Sequence, residues 1–172
     1  MVQNTPSRLK SKALSVRETV IFALLGAMMY VSDLLMEALP NIHLLGVLIV
    51  ASTVVYRWKA LYPIYIYVLL YGLTLGFGMW WVPYLYVWTV LWGMTMLLPK
   101  RMPRWLSPIV YCAVAGLHGL IFGTIYAPVQ ALLMGFSFEQ MLAWIAAGFY
   151  FDIIHAIGNL CLGVLIIPLI HT

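Results

Sequence analysis

The nine Lys and Arg side chains of this sequence stand in three groups, and the chain between the groups is almost wholly apolar. Arg8, Lys10, Lys12 and Arg17 precede the first apolar stretch, Arg57 and Lys59 follow the second, and Lys100, Arg101 and Arg104 follow the fourth. Such stretches have few fates, because about 20 apolar residues in a helix match a hydrocarbon core about 30 Å thick. With 65% hydrophobic and 8% charged residues and a mean hydropathy of +1.01, the composition is far from that of soluble domains. The sequence therefore reads as a single-domain, all-α membrane protein. Six transmembrane helices are expected over about residues 17–39, 43–56, 60–77, 83–98, 105–126 and 139–170.

Residues 1–16 read as a polar, basic tail. The apolar run that follows reaches Asp33 without a small-residue cleavage site, so a retained membrane helix is expected rather than a signal peptide. With the helices in this order all nine cations fall on one side. A Lys/Arg excess marks cytoplasmic loops, which puts both termini in the cytoplasm. The connections after helices one, three and five then face outward. They carry Asp33, Glu37, His43, Trp80, Trp81 and Tyr126, and no Lys or Arg.

Local signals fill in this outline. Ser15-Val16-Arg17-Glu18 has the Ser-x-x-Glu form of a capping box at the start of helix one. Ala23 and Ala27, with Gly26 beside them, make a small-residue patch that lets another helix approach closely in lipid. Gly72-x-x-x-Gly76 and Gly119-x-x-x-Gly123 read the same way. The stretch from Gly76 to Pro83 is a turn-rich aromatic connection, and Tyr126-Ala127-Pro128 to Phe138 is expected to be the last outer one. Cys112 and Cys161 lie inside expected helices without redox or metal spacing.

The polar residues of the last helix are the functional signal. Asp152, His155 and Asn159 fall within roughly 60° of one another on a helix of 100° per residue. Ionisable groups at membrane depth are costly and by default suggest a site; the alternative is that they satisfy one another or join packed helices. One carboxylate and one imidazole are half a ligand set, so no metal is expected. On helix four, Trp81, Tyr84 and Trp88 share one side at i, i+3, i+7, against the alternative of an aromatic belt at the headgroups. His118 is the only ionisable side chain of helix five, either a satisfied core residue or a ligand contact.

No nucleophile with base and orienter, no Gly-rich phosphate loop and no paired carboxylates occur at usable spacing, so the chain does not read as an enzyme. A channel would need polar stripes on several helices, and a secondary carrier often shows inverted repeats with broken helices; neither is visible. What remains is one pocket of apolar walls with a few placed polar groups, which describes a small-molecule site.

Three motifs carry a family resemblance: Ala23-x-x-x-Ala27, the turn Leu39-Pro40-Asn41-Ile42-His43, and Asp152-x-x-His155-Ala156-x-x-Asn159. Together with length, helix number and orientation over the whole chain, they resemble the substrate-specific S component of energy-coupling factor vitamin transporters, a type of ABC importer. The resemblance implies a compact six-helix bundle in the cell membrane, with no cofactor. Ala23, Gly26 and Ala27 would dock on a transmembrane coupling subunit, the T component, driven by two partner ATPases that hydrolyse ATP. The vitamin would lie near the outer face, with Glu37, Asn41 and His43 as a lid and with Trp80, Trp81, Tyr84, Trp88, His118, Asp152, His155 and Asn159 as contacts.

Charge narrows the substrate. A vitamin carboxylate would find no Arg or Lys partner here, whereas indoles and phenols stack on flat rings and attract cations. Hydroxymethylpyrimidine or a pyridoxine-type B6 vitamer is the expected solute. Pantothenate is the alternative within the class, and cobalamin stays open. A reading from another class is a scaffold subunit of a membrane complex that binds no solute.

Overall fold

The computed structural model describes residues 14–171, and among them every regular element is helical. Of the basic tail, all but Leu14, Ser15 and Val16 lies outside the described residues. Helix α1, Val16–Leu35, begins where the Ser15 hydroxyl accepts the Glu18 N–H and the Glu18 carboxylate accepts the Ser15 N–H. This reciprocal cap satisfies two backbone donors that the first turn leaves free. Helices α2, Leu45–Tyr56, and α3, Leu61–Leu75, are joined by a 3-10 turn over Arg57–Ala60. A second 3-10 turn, Met79–Trp81, leads into α4, Tyr84–Met96. Helix α5 spans Ser107–Met134, and α6, Phe138–Leu162, opens on another reciprocal cap, between Ser137 and Gln140. A third 3-10 turn, Gly163–Leu165, separates α6 from the short α7, Ile166–His171.

Among the described residues, four helical runs are long and apolar enough to cross a membrane: Val16–Leu35, Leu45–Leu75, Ser107–Met134 and Phe138–His171. Taken alone, α2 and α4, with 12 and 13 residues, rise only about 18–20 Å. Neither would cross by itself a core about 30 Å thick. Helix α2 is buried continuously from Leu45 to Thr53, as expected of a helix that is apolar all round. It runs through the middle of the bundle against α1, α4, α5, α6 and α7. The hydroxyl of its buried Thr53 donates back to the Ile49 carbonyl at 2.7 Å.

Several boundaries differ from the sequence expectation. Asp33 belongs to α1 rather than to the connection after it. Helix α5 does not end near Tyr126; it continues through Pro128 to Met134 and stops at Gly135, which adopts φ 69°. A proline inside a helix removes one backbone bond, here the one that would end on the Thr124 carbonyl. In the same turn the Tyr86 hydroxyl donates to the Ile125 carbonyl at 2.7 Å, tying α4 to α5 beside it. The last connection therefore shrinks to residues 135–137.

Glycines set the two closest helix contacts. A Cβ at Gly119 would stand 2.9 Å from the Ala156 nitrogen and the His155 carbonyl carbon, so α5 and α6 cross backbone against backbone. A Cβ at Gly26 would stand 2.5 Å from Ile66 Cγ2, which makes Gly26 the crossing point of α1 and α3. Of the small-residue patch, then, Gly26 is covered by α3, Ala23 is exposed and Ala27 is half-buried.

The two ends of the bundle carry different chemistry. At one end Lys59 forms an ion pair with Glu18, and the Arg57 guanidinium donates to the Met96 carbonyl at 2.9 Å. Lys100 lines a hollow together with Arg57. The opposite end holds Asp33, Glu37, Asn41, Trp80 and Tyr126.

Candidate functional site

Two adjoining cavities lie at this second end, sharing Asn41, Tyr84 and Phe122 as their common wall. The first, of about 170 Å3, is bounded by the segment Met36–His43 together with Asp33, Tyr67, Tyr71, Trp88 and His155. The second, of about 380 Å3, is bounded by Trp80, Tyr126, Trp144, Gly148, Phe151 and Asp152. Among the described residues, no Lys or Arg lines either.

The chain between α1 and α2 covers the first cavity, and its shape follows from two residues. Pro40 cannot continue the helix, and Asn41 adopts φ 57°, a left-handed conformation that Asn tolerates better than most residues. The Asn41 amide donates to the Phe151 carbonyl of α6 at 3.4 Å. Ile42 packs on the open side of Gly158. His43 then sits edge-on to His155, with ring centroids 4.7 Å apart, and to Trp88 at 6.0 Å. Burial holds the His43 imidazole below its ordinary pKa, partly offset by the Asp33 carboxylate.

Rings make most of the wall. Tyr84 stacks on Tyr71 at 5.7 Å and meets Trp80 and Trp88 edge-on at 5.6 and 5.7 Å. Phe122 stacks on Tyr126, which in turn stacks on Trp144. Such offset and edge-on pairs suit the ring quadrupoles and hold the wall in one arrangement. The Tyr126 hydroxyl donates to the Trp80 carbonyl at 2.8 Å, tying α5 to the turn before α4. Tyr67, wholly buried, donates its hydroxyl to Asp33 at 2.9 Å.

The expected site residues are thus distributed unevenly. Glu37, Asn41, His43, Tyr84, Trp88 and His155 line the first cavity; Trp80 and Asp152 line the second, with Asn41 and Tyr84 again. Trp81, His118 and Asn159 line neither. The Trp81 indole donates to the Val68 carbonyl at 2.8 Å and faces Phe77. It turns away because Met79–Trp81 is a 3-10 turn, so Trp80, not Trp81, continues the line through Tyr84 to Trp88. His118 meets the Val87 carbonyl at 2.9 Å and is fully buried. The Asn159 amide donates to the Ala115 carbonyl at 3.0 Å.

Asp152, His155 and Asn159 do share one face of α6, all three buried. Seven residues of helix, however, rise about 10 Å, so each meets a different neighbour. Asp152 accepts the Gly123 N–H, with its two oxygens at 3.0 and 3.2 Å. His155 sits among His43, His118 and Phe122. Among the described residues no three His, Cys, Asp or Glu side chains gather as a metal-binding group. His43 Nδ1, Trp88 Nε1 and His155 Nε2 are buried without a hydrogen-bond partner among the described residues.

The sequence reading did not assign Asp33, Tyr67, Tyr71, Phe122, Gly123, Tyr126 or Trp144 to the site. Helical spacing carries a signal for most of them: Tyr67 and Tyr71, Phe122 and Tyr126, and Trp144, Gly148 and Asp152 are each four apart.

By fold and site, the class defined is a helical protein with apolar runs fit to cross a membrane and a double, aromatic-walled hollow at one end. No family model, curated protein or solved structure matches the chain.

Proposed function

We propose that this chain is the substrate-binding membrane subunit, the S component, of an energy-coupling factor importer. Its solute is a small flat-ring vitamin or precursor, hydroxymethylpyrimidine or a pyridoxine-type B6 vitamer, held in the two cavities. The observation that supports this most is the lining of that hollow, which combines stacked rings with Asp33, Glu37 and Asp152 and includes no Lys or Arg. Rings match a flat solute, and carboxylates match ring N–H and hydroxymethyl donors. A carboxylate-bearing vitamin such as pantothenate would meet like charge, which makes it the weaker candidate.

In this reading the cation-bearing end faces the cytoplasm, and α2 and α4 complete a six-span bundle in the cell membrane. ATP hydrolysis belongs to the partner ATPases. Ala23 and Ala27 on α1 offer the flat surface for the coupling subunit, while Gly26 serves the contact with α3.

Tryptophan emission of the purified protein, titrated with a vitamin panel, tests the solute reading, with co-purification of the coupling subunit as a second readout. A saturable response to hydroxymethylpyrimidine or pyridoxine is expected, and Ala27→Trp should lose the coupling subunit while keeping that response. Tight binding of pantothenate alone would overturn the substrate. Silence toward every vitamin, with a membrane complex still assembled, would favour the scaffold reading.

A further inference from the structure

The second cavity has a composition that goes beyond a generic ring pocket. Trp80, Tyr84, Tyr126 and Trp144 surround it, with Tyr126 and Trp144 stacked at 5.8 Å and Tyr84 meeting Trp80 and Tyr126 edge-on. Aromatic faces are the negative pole of the ring quadrupole and attract organic cations. At the base stands Asp152, only 6% exposed. Its one protein donor is the Gly123 N–H, although an ionised carboxylate offers about four acceptor positions. No Lys, Arg or His lines the cavity, and the Asn41 amide is engaged by Phe151. A buried carboxylate without a countercharge is unfavourable, and among the described residues no Lys or Arg lines either cavity.

We infer that the second cavity is a cage for an organic cation, a protonated amine or a positively charged ring nitrogen, which supplies the charge and the donors that Asp152 lacks. This rests on the proposal that the chain binds a small flat-ring solute, and it adds that the solute is a cation. Two glycines shape the cage. Gly123 positions the carboxylate, since a Cβ there would stand 2.6 Å from Asp152 Oδ2. Gly148 lines the cavity from α6, and a Cβ there meets nothing within 4 Å. A larger side chain at 148 therefore enters the cavity without disturbing a packed neighbour.

The test uses the full chain purified in detergent and three pyrimidines that share a 4-amino-2-methyl ring and differ at position 5: aminomethyl, hydroxymethyl and carboxylate. Calorimetry should rank the ammonium form first by about tenfold or more over the hydroxymethyl form, with the carboxylate weakest. Asp152→Asn should bring the ammonium and hydroxymethyl affinities within about threefold of each other. Gly148→Leu should keep a monodisperse, folded protein and lose all three ligands, which provides an answer even where Asp152→Asn does not fold. Equal or tighter binding of the hydroxymethyl form to the wild type overturns the cation cage while leaving the vitamin reading intact. So does a folded Gly148→Leu that binds as the wild type does. Failure of all three pyrimidines and of pyridoxine to bind overturns the solute reading and the cage together.

Discussion

Where α1 meets the turn after α2, charged groups are answered by other parts of the chain; at the aromatic end of the bundle they are answered incompletely. Glu18 has Lys59, and the Arg57 guanidinium has the Met96 carbonyl, which ties α1, α4 and the turn after α2 together. Asp33 has the phenols of Tyr67 and Tyr71, and Asp152 one backbone N–H. Both line cavities, and both keep acceptor positions open. Polar groups in an apolar bundle are costly wherever they lie; which ones are available for a ligand is decided by what the chain leaves unpaired around them.

The largest expected effect erases this contrast by destroying the frame that both ends share. Gly119→Val places side-chain atoms against the backbone of α6, where even a Cβ is 2.9 Å from Ala156 and His155. Overpacking against backbone cannot be relieved by a rotamer change, so a loss of about 3 kcal/mol or more is expected. Size-exclusion profiles and thermal midpoints in detergent should show aggregation or a sharply lowered midpoint. A midpoint within error of the wild type would show that α5 and α6 do not cross at Gly119.

The next effect is confined to the aromatic end. Asp33→Ala leaves the Tyr67 hydroxyl, on a wholly buried side chain, without its acceptor. Stranding such a group costs about 1–3 kcal/mol, and Asp33→Asn, whose amide oxygen still accepts, should cost less. If Asp33→Ala is as stable as the wild type, the first cavity already provides that hydroxyl with another partner.

The smallest effect separates backbone from side chain at the cationic end. Arg57 adopts φ 54°, a conformation that costs a residue with a Cβ about 1–2 kcal/mol and glycine almost nothing. Arg57→Ala and Arg57→Gly both lose the bond to Met96, so Arg57→Gly should be the more stable by about 1 kcal/mol. Ligand affinity should be the same in both variants and unchanged from the wild type. Altered affinity would mean that the two ends are coupled.

Much of this frame was legible in the residues. Arg57 and Lys59, and Lys100, Arg101 and Arg104, mark the connections after α2 and α4, and the cap at Ser15 forms as its spacing predicts. What escaped the sequence follows from local conformation and from depth. The 3-10 turn at Met79–Trp81 changes which indole follows the helical line. Pro128 reads as a breaker in isolation, whereas it costs α5 one backbone bond and the helix continues to Met134. The shared face of Asp152, His155 and Asn159 is real, but a helical face says nothing about which neighbour stands at each level. At those levels the neighbours are a backbone N–H, a histidine of the α1–α2 connection and a carbonyl of α5.

The bond between Gly123 and Asp152 has one more consequence, for how such a protein can vary. The donor belongs to the main chain, so every residue except proline would supply it. A change at position 123 therefore cannot simply delete the partner of Asp152; any added side chain displaces the carboxylate, whose oxygen stands 2.6 Å from the first new carbon. Proline apart, heritable change at this position would act as a dial on where the negative charge sits, whereas removing the charge itself takes a change at position 152.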